Sequence, residues 1–258
     1  MSSTTSKRSY RLEHLTWQEF GELVPKSSDT ILLPVGTIEA HGVAPLGTDN
    51  LIPEALAERL APYFNAVIAP CLPYGITKSL LTYPGSLTVS SASFESYVSD
   101  LIDSMTQQGF KKIVILNGHG GQNEELRRAA SKVHRATGAC IAVIHWWMLC
   151  EEVTQKVFGQ AGGHAGLDET ACILAIDRNL VKKNRYNRSM AYTFKDGVYA
   201  LPAPGTILLY REGEGYPDFD EKKANLYLQK VVEKVKLVLE EIFAKWEQKG
   251  IRKSISKK

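Results

Sequence analysis

Glu39, His41 and Asp49 sit close together in the stretch TILLPVGTIEAHGVAPLGTDN, which runs from residue 30 to residue 50. Two carboxylates and an imidazole separated by glycines are groups that bind hard or borderline cations. Farther along, His119 lies in NGHGGQN, and His164 and Glu169 lie in GGHAGLDET. His41 and His119 with Glu39, Asp49 and Glu169 make a mixed nitrogen and oxygen donor set. That set suits Zn2+, Mn2+ or Fe2+ better than Ca2+ or Mg2+. A carboxylate shared by two cations holds them ~3.5–4 Å apart, and Asp49 is the natural bridge.

Each residue also has an ordinary reading. Glu39 alone is a surface acid, Asp49 a helix cap, Glu169 a partner for a helix N-terminus, and His119 a turn residue between two glycines. His164 by itself says little. Placement is what favours chemistry. In extended backbone, residues two apart face the same side, so Glu39 and His41 can serve one site. The glycines around His119 permit close backbone approach to a ligand. His134, in a charged helical stretch, is expected in solvent, and His145 ends a strand beside two tryptophans.

The elements that must hold these residues read as strands alternating with helices. Ile31–Val35, Ala66–Pro70, Lys112–Leu116 and Cys140–Ile144 are short apolar runs of strand type, and Thr206–Tyr210 is a further short strand. Helices are expected over Trp17–Val24, from Asn50 and Pro53 to Phe64, over Ser93–Gln108 capped by Ser93, over Glu124–Thr137 and over 168–180. Asp218–Glu221 has capping-box spacing for a last helix. Its apolar face (Leu228, Val232, Val235, Leu239, Ile242, Trp246) packs on its own domain or on another subunit. The pattern predicts one α/β domain over residues 1–258, a layered fold with a mostly parallel central sheet flanked by helices. Ligands then bind at the carboxyl edge of the strands, where the motifs fall.

Composition narrows the classes. A hydrophobic fraction of 44% with 23% charged residues is that of a soluble globular chain. No apolar run approaches the ~20 residues that span a bilayer, and the N-terminus has no secretory core segment. Much of the net charge of +3 comes from Lys7 and Arg8 and from Lys249, Arg252, Lys253, Lys257 and Lys258. These read as solvated basic tails, leaving no basic face for nucleic acid. Four scattered cysteines without a Cys-x-x-Cys pair read as buried free thiols of a cytoplasmic protein.

LLPVGTIEAHGVAPLGTD, YPGSLTV, GFKKIVILNGHGGQNEEL and GGHAGLDETACIL resemble, in order, the motifs of the creatininase (creatinine amidohydrolase) family over roughly residues 30 to 180. The resemblance implies two divalent metal ions per subunit. One would be held by Glu39, Asp49 and His119, the other by His41, Asp49 and a further carboxylate. In creatininase proper that carboxylate lies two residues after the histidine matching His119, where this chain has Gly121. Relatives with the GHGG form point to Glu169 instead. His164 matches an active-site histidine, and Leu167 stands where many relatives have glutamate. The family fold is a layered α/β domain in homo-oligomers, often hexamers.

The function implied is metal-dependent hydrolysis of a non-peptide amide (cyclic amides included) or a formamide. Water made acidic by the cations attacks the carbonyl. His164 and Glu169 are expected at the reacting atoms, with His164 as proton donor to the leaving nitrogen. Family members also include a peptidase acting on a peptide-derived cofactor precursor, which is the alternative within the same fold. A phosphate or small-molecule binding module built on GHGGQN is a rival, but the glycines lack dinucleotide spacing and no Gly-Lys-Ser/Thr follows. Metal ions that only brace an oligomer are the third reading; structural zinc sites are usually thiolate-rich, unlike this set. The segments Leu72–Pro84 and Trp146–Gly163 are expected to wall the pocket and set the substrate.

Overall fold

Three apolar runs, TILLPV, KIVILN and CIAVIH, form the centre of the sheet. The computed structural model describes residues 10–248 and Gly250, so the basic-tail residues named above lie outside the described residues. Strands β1 (Thr30–Val35), β2 (Val67–Ile68), β3 (Lys112–Asn117) and β4 (Cys140–His145) pair in the order β2-β1-β3-β4, all parallel. β1 and β3 are buried on both faces, as central strands of a covered parallel sheet must be. Alternate side chains feed two cores. Leu32, Val114, Leu116 and Ile144 point to one, and Ile31, Leu33, Ile113 and Ile115 to the other.

The helices divide between these faces. α1 (Trp17–Leu23) leads in. α2 (Thr48–Phe64) covers the first face and α3 (Ser91–Gln107) and α4 (Asn123–Thr137) the second. After β4 come two short helices, α5 (Trp146–Leu149) and α6 (Glu151–Phe158), so the expected Trp146–Gly163 wall is largely helical. α7 (Leu167–Ile176) and α8 (Glu221–Gln248) complete the first face. α8 buries Tyr227, Leu228, Val231, Val235 and Leu239 against its own sheet side, each fully buried apolar chain contributing roughly 1.5–3 kcal/mol.

A second sheet was only partly expected. β5 (Gly163–His164) runs antiparallel to β7 (Ile207–Leu209), and β6 (Ala191–Thr193) pairs parallel with β7. His164 is therefore held on a strand rather than in a loose glycine loop.

Other boundaries moved for local reasons. α2 starts at Thr48, not Asn50, which puts Asp49 in its first turn. Ser90, not Ser93, caps α3 by accepting from the Ser93 amide. Asp220 caps α8 by accepting from the amides of Lys222 and Lys223, while Asp218 instead accepts from the Asp220 amide. β2 is only two residues long, and that explains Pro34. The Pro34 carbonyl accepts from the Leu72 amide, so its nitrogen faces the same side, beyond the end of β2, where no ladder bond is lost. Among the described residues, no helix is long and apolar enough to cross a membrane.

The sheet order decides where a site can form. From β1 the chain crosses to β2 on one side, and from β3 it crosses to β4 on the other. The carboxyl ends of β1 and β3 therefore flank a switch point, where departing loops leave a crevice.

Candidate metal centre

The crevice between the ends of β1 and β3 receives Glu39 and His41 from the loop after β1 and His119 from the loop after β3. Asp49 enters from the first turn of α2, His164 from β5 and Glu169 from the first turn of α7. The structure brings all six together. Close backbone packing makes this feasible. A Cβ at Gly36 would collide with the Asp49 carbonyl, and so would one at Gly118, so glycines let both loops press on the turn that carries Asp49.

The three imidazoles share one arrangement. His41 Nδ1 donates to the Glu39 carbonyl at 2.9 Å, His119 Nε2 to the Ile76 carbonyl at 2.9 Å and His164 Nε2 to the Ala40 carbonyl at 2.8 Å. A carbonyl only accepts, so these nitrogens carry the protons, and in each neutral ring the other nitrogen is bare. The second nitrogens face carboxylates. His41 Nε2 lies 2.9 Å from Asp49 Oδ1 and 3.7 Å from Glu169 Oε2. His119 Nδ1 lies 2.9 Å from Asp49 Oδ2 and 3.3 Å from Glu39 Oε1. His164 Nδ1 lies 3.6 Å from Glu39 Oε1, and its ring packs 4.3 Å from that of His41.

Each of these nitrogens faces carboxylate oxygen across a gap that either a proton or a metal ion fills. Asp49 Oδ2, fully buried, has no hydrogen bond of good geometry despite the neighbouring His119 ring. Glu39, Asp49 and His119 can hold one cation and His41, Asp49 and Glu169 a second, which leaves His164 Nδ1 outside both trios. The donor atoms of each trio lie within 4.8 Å of one another. Imidazoles fixed by an outer hydrogen bond are how metal-binding histidines are oriented. The residues thus fit the expected two-cation arrangement, with one Asp49 oxygen turned to each trio.

Electrostatics agree. Burial works to lower the His41 pKa, but Asp49, then Glu169 and Glu39, hold it up at about 10. His119 is likewise raised, as Glu39 and Asp49 outweigh burial. Burial opposes ionisation of Asp49, yet the two imidazoles keep it well below the usual carboxylate range. Glu169 is raised by burial, against the pull of His41. His164 goes the other way: burial and then the charge of His41 bring it down to about 4, so it rests neutral.

Gly121 is structurally enforced. A Cβ there would collide with the Ile76 carbonyl and with His119 Nε2. A carboxylate at that position is incompatible with this setting of His119, and Glu169 reaches the cluster from α7. Glu169 is itself tied down by the Ala165 amide, which donates to its Oε2 at 2.6 Å.

Sequence reasoning missed the layer beneath. Asn117 Nδ2 donates to the His119 carbonyl at 2.8 Å and lies 2.9 Å from His145 Nδ1. Asn117 Oδ1 accepts from the His119 amide at 3.2 Å and from Gln122 Nε2 at 3.0 Å. Their signal was available, since polar side chains directly after a buried strand need partners. Asp168 was also missed. It is buried at the cavity wall, accepts from the Gly163 amide, and burial pushes it up to about 6.

The centre forms the floor of a cavity of about 600 Å3. Its walls come from the segment after Leu72, from α5 and α6, and from 199–211, which the sequence did not mark. The outer segments clasp each other: the Ala203 amide donates to the Ser79 carbonyl at 2.8 Å, and Tyr83 Oη to the Ala203 carbonyl at 2.9 Å.

A parallel sheet with a carboxylate–imidazole cluster at its switch point and an open cavity above it defines an α/β protein with a candidate metal-binding active site. The chain belongs to the creatininase family: the family model described as creatinine amidohydrolase matches residues 13–236. It is 27% identical over 223 residues to a creatinine amidohydrolase of Pseudomonas putida, covering 75% of this chain and 84% of that one. It is 32% identical over 153 residues to a mycofactocin precursor peptide peptidase of Mycolicibacterium smegmatis, covering 57% of each. Its fold matches a crystal structure of creatinine amidohydrolase with TM-score 0.79 at 24% identity, over 90% of this chain and 97% of the other. It also matches a manganese creatininase with TM-score 0.77 at 24% identity, over 91% and 98%. This kinship makes the chain a hydrolase acting on carbon–nitrogen bonds.

Proposed function

We propose that the chain hydrolyses the C–N bond of a small non-peptide amide, cyclic amides included, or of a formamide. Glu39, Asp49 and His119 would hold one divalent cation, and His41, Asp49 and Glu169 a second. Cations so placed lower the pKa of a bound water and polarise a carbonyl. The observation that carries this reading is the set of three imidazoles, each pinned on a main-chain carbonyl, whose second nitrogens converge on three carboxylates.

The chain's own residues divide the remaining work. Asp49 spans both trios, one oxygen to each. His164 has committed Nε2 to Ala40, so only Nδ1 can exchange a proton. That atom is placed to pass a proton to the leaving nitrogen, the donor role expected from the sequence. At Gly120 a Cβ would meet only Trp147, at 3.7 Å, so the backbone beside His119 faces the cavity without obstruction. A second reading, cleavage of a peptide-derived cofactor precursor, is favoured by the 32% identity to a peptidase of that kind.

The test is metal analysis of the purified protein followed by assay against cyclic amides, formamides and short peptides, before and after chelation. Asp49→Ala is expected to lose bound metal and turnover together. Full activity in a metal-free Asp49→Ala protein ends the proposal.

A further inference from the structure

Outside the six clustered residues, four charged side chains line the cavity, and three are engaged. Arg211 Nη2 lies 3.1 Å from Glu151 Oε1, and Asp168 accepts from the Gly163 amide at 3.0 Å. The fourth is Lys78, which has no ion-pair partner among the described residues. A lysine on a surface is ordinarily just solvated. This one stands on backbone fixed from both sides. The Ile76 carbonyl accepts from His119 Nε2, and the Ile76 amide donates to Gln122 Oε1 at 3.4 Å. The Thr77 amide donates to Thr88 Oγ1 at 3.1 Å, and the Thr77 hydroxyl lies 3.3 Å from that of Thr37. On the far side, the Ser79 carbonyl accepts from the Ala203 amide.

Lys78 is thus two residues, at most about 7 Å of chain, from the group that orients His119. Its flexible stem projects a charge from a fixed root into the space above the centre. We propose that Lys78 reads a carboxylate on the substrate, so that the compounds accepted are amides bearing a carboxylate a few bonds from the scissile carbonyl. The inference rests on the hydrolase reading for what lies at the floor, and its test does not depend on turnover.

Binding is measured by calorimetry for two matched pairs, N-formylglycine with N-formylglycinamide and dihydroorotate with dihydrouracil. The metal-loaded protein, Lys78→Met and Lys78→Arg are compared, and turnover of all four compounds is followed in parallel. Each acid is expected to bind about tenfold more tightly than its neutral partner, as a charge-assisted contact requires. Lys78→Met erases the preference and Lys78→Arg keeps it. Equal affinity within both pairs overturns the proposal, as does failure of either acid to bind. A preference that survives in Lys78→Met also overturns it, because the carboxylate is then read by the floor. Turnover with no acid preference removes the role of Lys78 and leaves hydrolysis standing. A Lys78-dependent preference with no turnover supports Lys78 and counts against hydrolysis.

Discussion

On the cavity floor, His41, His119 and His164 each give one ring nitrogen to a backbone carbonyl, and the carboxylates they face are almost wholly buried. On the rim, Tyr199 and Tyr210 stand 76% and 62% exposed, and the ion pair of Arg211 with Glu151 is open to water. The floor is assembled from strand ends and the first turns of helices. The rim is assembled from short helices and loops, and the two-residue strand β5 brings His164 from that side to the floor. The contrast teaches where tolerance lies. Each floor atom is located by several others, so a change there propagates. An exposed pair is worth ~0–1 kcal/mol, so a change at the rim stays local.

That contrast can be broken in graded steps. His164→Ala should reduce turnover by roughly 10²–10⁴ while metal content stays near normal, measured by steady-state kinetics and metal analysis of the same sample. Loss of metal along with activity would make His164 a ligand and enlarge the floor. Gly121→Glu should cost about 1–3 kcal/mol of stability in denaturant unfolding, because the added side chain displaces His119. Combined with Glu169→Gln it should fail to restore metal; restoration would show that the floor tolerates a moved carboxylate.

The metal affinity should also rise with pH. His41, held up at about 10, and His119, also raised, carry protons at neutral pH on the nitrogens that face the trios. A cation must displace those protons, so affinity rises by up to ~tenfold per pH unit for each proton released and levels off once the imidazoles are neutral. Titrations of manganese into apoprotein between pH 6 and 9 check this, and a flat profile would refute it. The smallest effect belongs to the rim: Tyr199→Ala should alter stability by no more than about 0.5 kcal/mol in thermal unfolding. A larger loss would mean that the rim is built like the floor.

The same contrast separates what was legible in the residues from what was not. Glu39, His41 and His119 stood out because they follow apolar runs directly, and a strand's end fixes where its next residues go. Asp49 was legible as a member of the cluster but not as a helical residue, since Gly47 gives α2 no side-chain cap to announce its start. Glu169 was picked out by resemblance to relatives with the GHGG form, and its carboxylate does lie near His41, while the crowding around Gly121 leaves no room for a side chain there. Of the sheet that carries His164 only the strand at Ile207–Leu209 was legible; β5 and β6, of two and three residues, fall below the length at which alternation can be recognised. The segment 199–211 closes the cavity through contacts more than a hundred residues apart, Tyr83 with Ala203 among them. No local pattern encodes those.

The anchors of the three rings are main-chain oxygens of Glu39, Ala40 and Ile76. A peptide oxygen survives every point mutation, so the bearings of these imidazoles are inherited from the path of the backbone rather than from any neighbouring side chain. Selection can therefore exchange everything a substrate touches while the reacting centre keeps its aim.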